Sequence, residues 1–127
     1  ANSMDYYPTV LDYTGIALNP DQHTDGISLK PFLEGKTKVT HQQLFWDFPH
    51  YHGSGWTPGR AMIQGAWKLI YFFEEDIYEL YNLNEDVGEK NNLSLIYPNK
   101  LSEMKKSLLH WANNIGAQDP IINNQFN

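Results

Sequence analysis

Leu80-Tyr81-Asn82-Leu83-Asn84-Glu85-Asp86-Val87-Gly88-Glu89-Lys90-Asn91-Asn92-Leu93 is the stretch on which the fold turns. It opens as the end of an apolar, strand-patterned run over 77–83. It continues as a polar segment rich in Asn, Asp and Glu around Gly88, a composition that stops a strand and makes a turn. Glu89 is expected to hydrogen-bond the backbone of the Asn91-Asn92 turn. Beyond it, 98–115 is patterned as an amphipathic helix. Leu101, Met104, Leu108, Trp111, Ala112 and Ile115 share one face, with Lys100, Glu103, Lys105 and Lys106 elsewhere. Pro98 suits the first turn of that helix and Gly116 the position just past its end.

Upstream of residue 77 the pattern has period two. Leu44, Trp46 and Phe48 alternate with Phe45 and Asp47, which predicts a strand with one buried face. The run 49–59 holds Pro, Gly, Ser and two His and reads as a long surface loop. Residues 61–64 and 66–73 form a hairpin about Gly65, and Glu74-Glu75-Asp76 is a solvated acidic turn. Four strands in succession with short links predict an antiparallel sheet covered by the helix, an α+β fold. Before the sheet, 5–14 is predicted as a short helix with Asp5 as N-cap and Gly15 as stop. Tyr7, Val10, Leu11 and Thr14 would form its buried face. Residues 27–33 read as extended or as one short turn ending at Gly35. The expected organisation is 1–40, 41–118 and a polar tail 119–127.

Several of these blocks resemble, in order, the final third of type I sulfatases. The stretch 80–93 is similar to the tyrosine-asparagine-leucine, aspartate, glycine-glutamate, asparagine-leucine block near the end of that family. Asp5-Tyr6-Tyr7-Pro8-Thr9-Val10-Leu11-Asp12-Tyr13-Thr14-Gly15-Ile16 resembles its aspartate, aromatic, proline-threonine, leucine-rich, glycine helix. Asp25-Gly26-Ile27-Ser28-Leu29-Lys30-Pro31 resembles its aspartate-glycine-x-serine-leucine-x-proline segment, and Gly65-Ala66-Trp67-Lys68-Leu69-Ile70 its glycine-x-tryptophan-lysine-leucine-isoleucine strand. The resemblance implies an alkaline-phosphatase-like parent enzyme of which this chain is the carboxy-terminal piece. The short N-terminal helix would then be left over from a missing large domain. The parent is expected to use calcium and a formylglycine carried on that domain. No catalytic or metal residue maps onto this chain, and the chain alone is expected to be inactive. The helix face that normally packs on the large domain would be left exposed, with possible self-association as the outcome. Periplasmic or extracellular location is the family's usual address.

Composition agrees with a globular domain and narrows its chemistry. Aromatic residues make up 14% of the 127, which suits an aromatic core or an aromatic-lined cleft. Nine basic residues against 15 acidic give a net charge of -6, so nucleic acid is a poor partner. No run approaches the roughly 20 apolar residues of a membrane span, and no secretory leader is read. With no cysteine there are no disulfides. Formylglycine is made from the Cys or Ser heading a C-x-P-S-R motif, and the nearest match here, Trp56-Thr57-Pro58-Gly59-Arg60, begins with an indole. Gly35-Lys36-Thr37 lacks the earlier glycine of a phosphate loop, since Lys30 stands there. His50 and His52 could bind a metal only with distant help from His23, His41, His110 or carboxylates.

The residues singled out for recognition lie on the 49–59 loop and its end. His50, Tyr51, His52, Trp56 and Arg60 combine aromatic faces, polar tips and a cation, the groups that bind a sulfated sugar or sulfated small molecule. Trp46, Trp67, Phe72, Phe73 and Trp111 are expected in the core. A free-standing carbohydrate-binding or interaction module, or the end of a related phosphodiesterase or phosphonate hydrolase, are the competing readings.

Overall fold

The computed structural model describes residues 2–22, 24–36, 41–121, 123 and 125; His23 and Thr37 lie outside the described residues. The chain forms two compact units, Ala1–His41 and Gln42–Asn127.

In the first unit a 3-10 turn, Ser3–Asp5, leads into helix α1 (Tyr6–Thr14), and a further turn of helix, α2, spans Lys30–Leu33. Asn2 caps the 3-10 turn, and Asp5 makes no side-chain cap on α1, contrary to the expected role. Asp5 is instead fully buried and works over longer range. It accepts hydrogen bonds from the backbone N–H of Asn2 at 2.7 Å and of Ile27 at 3.1 Å, and lies 2.7 Å from His41 Nε2. Burial pushes its carboxyl up, but the Asn2 and Ile27 amides and His41 outweigh that and hold it below the usual carboxylate range. One and two turns on, Thr9 and Asp12 continue this polar seam. Thr9 Oγ1 donates to Asp5 O and accepts from Leu29 N, while Asp12 accepts from Ser28 Oγ and pairs with Lys30. The face of α1 turned to the segment 27–30 is therefore polar. Tyr7, Val10 and Thr14, expected to be buried, are exposed. Gly26 is demanded sterically, because a Cβ there would lie 2.1 Å from Met4 O.

The second unit is a four-stranded antiparallel meander in the order β1-β2-β3-β4. The strands are β1 (Gln43–Phe48), β2 (Gly59–Gln64), β3 (Trp67–Phe72) and β4 (Ile77–Asn82), followed by α3 (Pro98–Asn114). The β2–β3 turn needs Gly65, whose φ of 59° lies in the left-handed region. Register assigns each side chain to a face. Phe45 pairs with Met62, Met62 with Leu69 and Leu69 with Leu80, all on one face. There Met62, Leu69 and Leu80 form a core with Met104 and Leu108 of α3. Trp111 stacks on Phe45 at 4.9 Å, its expected structural role. Ile115, expected on the same helix face, is exposed just past the helix end.

The buried face of β1 is the reverse of the one expected. Phe45 and Asp47 point to the helix, while Trp46 and Phe48 lie on the other side and are both 38% exposed. The polar stretch after β4 also differs in detail. Asp86, not Glu89, holds the turn, accepting from the N–H of Lys90 at 2.8 Å and of Asn91 at 2.7 Å. Glu89, at φ 53°, reaches Lys68 of β3 at 2.6 Å. Asn92 and Leu93 then run beside β4, bonding the N–H and C=O of Leu80 and closing that edge locally.

Candidate functional site

The sheet face opposite α3 bears a shallow basin of about 560 Å³ beside the loop that joins β1 to β2. Trp46 and Phe48 come from β1, Ala61 and Ile63 from β2, Lys68 from β3, and His52, Ser54 and Trp56 from the loop. Register explains the floor. Trp46 stands opposite Ala61, whose single methyl leaves room for the indole, and Ile63 stands opposite Lys68. Ala61 belongs to a small second core with Ile70 and Tyr81, against which Phe72 and Leu83 pack.

The loop is shaped by its own backbone. His52 N–H donates to Trp56 O at 3.1 Å and Gly55 N–H to His52 O at 3.0 Å, so His52 and Trp56 face each other across a tight turn. Trp56 packs at 6.1 Å on Phe72, and His52 meets the Phe48 ring edge-on at 6.3 Å. Ser54 N–H lies 3.2 Å from His52 Nδ1 and Ser54 Oγ 2.8 Å from it. A backbone N–H can only donate, so in the neutral ring Nδ1 is the acceptor and the proton sits on Nε2. The single cation of the basin, Lys68, is paired with Glu89 at 2.6 Å.

The five residues expected to form one recognition wall are divided among four places. His52 and Trp56 line the basin, and His50 is exposed, edge-on to Phe48 at 5.8 Å. Tyr51 turns to a second hollow with Pro49, Pro58, Phe73, Glu74, Pro120 and Ile121. Its hydroxyl donates to the Glu74 carboxylate, and that bond pushes the Tyr51 pKa up. Arg60 is not on the loop at all. It lies in β2 on the α3 side of the sheet, buried, with Nε 2.6 Å from Asp47, Nη1 2.8 Å from Asp119 and its guanidinium over the Phe73 ring. Sequence reasoning missed Trp46 and Lys68 as basin residues. The available signal was that a sheet has two faces and the strand run is followed by one amphipathic helix, which leaves the aromatic-rich second face without its own cover.

Among the described residues no group of three or more His, Asp or Glu could hold a metal ion.

Known proteins resemble this chain over most of its length. The family described as N-sulphoglucosamine sulphohydrolase, C-terminal, matches residues 1–115. A sulfatase of Formosa agariphila is 33% identical over 124 residues, covering 87% of this chain and 22% of that protein. A delta 4,5-hexuronate-2-O-sulfatase of Bacteroides thetaiotaomicron is 33% identical over 93 residues, covering 72% of this chain and 19% of that protein. The solved structure of a 2-O GAG sulfatase superposes with a TM-score of 0.72 at 29% identity, over 89% of this chain and 25% of that one. The chain thus spans about a fifth of the length of these curated relatives. By sequence and by fold it belongs to the N-sulphoglucosamine sulphohydrolase C-terminal family and is the carboxy-terminal part of a sulfatase.

Proposed function

We propose that this chain is the non-catalytic carboxy-terminal part of a sulfuric ester hydrolase acting on a sulfated glycan or sulfated small molecule, at the cell exterior or in the periplasm. The observation that carries this reading is the match over residues 1–115 to a segment that makes up about a fifth of the relatives. The formylglycine, the calcium ion and the sulfate-contacting groups would belong to polypeptide upstream, which is the natural partner of the chain. That polypeptide would also cover Val10, Tyr13 and Ile16, the exposed apolar side chains of α1 and its end. A free chain would instead hide them by self-association.

The test begins with the coding sequence ahead of Ala1, where a C-x-P-S-R or S-x-P-S-R motif is expected. The complete enzyme should release sulfate from an aryl sulfate or a sulfated saccharide, and the 127-residue chain alone should release none. Turnover by the isolated chain would overturn the reading. In the complete enzyme His52→Ala is expected to raise KM severalfold with a smaller effect on kcat, because it removes a binding group outside the chemistry. An unchanged KM and substrate preference would remove the loop from recognition.

A further inference from the structure

We propose that the basin of Trp46, Phe48, His52 and Trp56 is a subsite for an uncharged pyranose ring, adjoining the sulfated residue in a glycan substrate. It rests on the sulfatase reading above but makes a narrower claim about what touches this face. Three observations carry it.

The first is shape and surface. Two indoles and a phenyl ring, each 38% exposed, border a basin of about 560 Å³. Pockets of about 300 to 1,000 Å³ hold small ligands, so a sugar ring fits while a helix does not. Aromatic faces of this kind accept the C–H face of a pyranose, and the rigid two-torsion side chains lose little freedom on contact.

The second is the polar rim. Because Ser54 N–H occupies Nδ1 of His52, the neutral ring presents Nε2 as an N–H donor. A donor suits the hydroxyl, ring or acetamido carbonyl oxygens of a sugar. Ser54 acts here as a positioning residue, since it sets which nitrogen carries the proton.

The third is charge. Lys68 is the basin's cation, and Glu89 sits 2.6 Å from it. Sulfate and carboxylate ligands are usually gripped by unpaired Arg or Lys. Arg60, the nearest other candidate along the strand, is turned to the opposite face and engaged by Asp47 and Asp119. With Lys68 partnered by Glu89, the lining residues offer an anion no unpaired Lys or Arg. The sulfate would be held elsewhere, and this face would read its neighbour.

The measurement is a two-dimensional NMR titration of the wild-type chain with three probes: a neutral N-acetylglucosamine disaccharide, its 6-O-sulfated counterpart, and inorganic sulfate. The expected result is that both disaccharides shift the indole N–H signals of Trp46 and Trp56 with affinities within about twofold, while sulfate shifts neither. Raising the salt about tenfold should leave the disaccharide affinity unchanged. Trp46→Ala should weaken it about tenfold and Trp46→Phe by less, with backbone amide dispersion confirming that each variant remains folded. Ser54→Pro, which removes the backbone N–H at Nδ1, should leave Trp contacts in place but alter the His52 ring nitrogen shifts, whereas Ser54→Ala, which keeps that N–H, should not.

Binding that requires the sulfate and collapses with salt would overturn the proposal. So would the absence of any indole shift at millimolar disaccharide. A concentration-dependent dimer that Trp46→Ala dissolves would assign the basin to a second copy and overturn it equally. The sulfatase reading is judged separately, by the upstream motif and sulfate release, so either claim can fail alone.

Discussion

Two consecutive amides, those of Lys90 and Asn91, converge on one oxygen of Asp86, and this is what shapes the link from sheet to helix. Asp86→Ala leaves both exposed amides to water and is expected to lower stability by about 0.5–1.5 kcal/mol in urea unfolding. Glu89→Ala removes only a half-exposed ion pair with Lys68 and should cost less than about 1 kcal/mol. Both acids stand in the same polar run, and their order in sequence does not say which one meets the backbone. That choice depends on a left-handed turn at Glu89, which aims its side chain back toward β3. Arg60 was misplaced for a similar reason. Its residue type marked it as an anion binder, but its partners are Asp47, directly across the β1–β2 ladder, and Asp119 in the tail. Contacts of that range leave no local trace. Trp46 illustrates the reverse problem. Alternation revealed that β1 has two faces, and size suggested that the face with the larger aromatics was inside. The helix went to the other one.

At the scale of elements, α3 supplies the cover for the sheet, and its spacing made it legible without coordinates. Met104 and Leu108 are fully buried against Met62, Leu69 and Leu80. Leu108→Ala is expected to cost about 2–5 kcal/mol, read as a fall in the urea midpoint, whereas Ile115→Ala at the exposed end should be nearly neutral. The four strands and their antiparallel order were equally legible, because period-two runs broken by Gly and acidic turns admit little else. The β3–β4 pair adds a dependence on alkaline pH. Tyr71 stacks on Tyr78 at 4.3 Å, and burial together with its bond to Asp76 raises its pKa to about 12. Burial and a bond to Glu79 raise Tyr81 as well. The folded sheet therefore keeps protons that the unfolded chain gives up near pH 10. The stabilisation is whole below about pH 10 and declines as the pH rises toward 12. Tyr71→Phe should flatten that alkaline decline in a series of urea melts.

Of the two units, one is held by polar latches and the other by an apolar core, and acid should loosen the first before the second. Asp5 titrates below its unfolded value, so it stabilises the Ala1–His41 unit above about pH 4 and that support is lost as pH falls through the depressed value. Amide exchange is expected to show α1 opening below about pH 4 while the central strands stay protected. Asp5→Asn should leave α1 less protected at every pH and reduce the dependence, the part carried by Asp12 remaining. The meander has a further consequence for how the polypeptide survives handling. Each strand hydrogen-bonds to its neighbour in sequence, so the ribbon can zip together quickly from local pairings. Its lid, however, is tethered only through the 83–97 link. A protease nick there, or a premature stop codon ahead of Met104, would leave Met62, Leu69 and Leu80 as a bare greasy plate, and such a remnant should precipitate or be drawn to chaperones instead of persisting as a smaller domain.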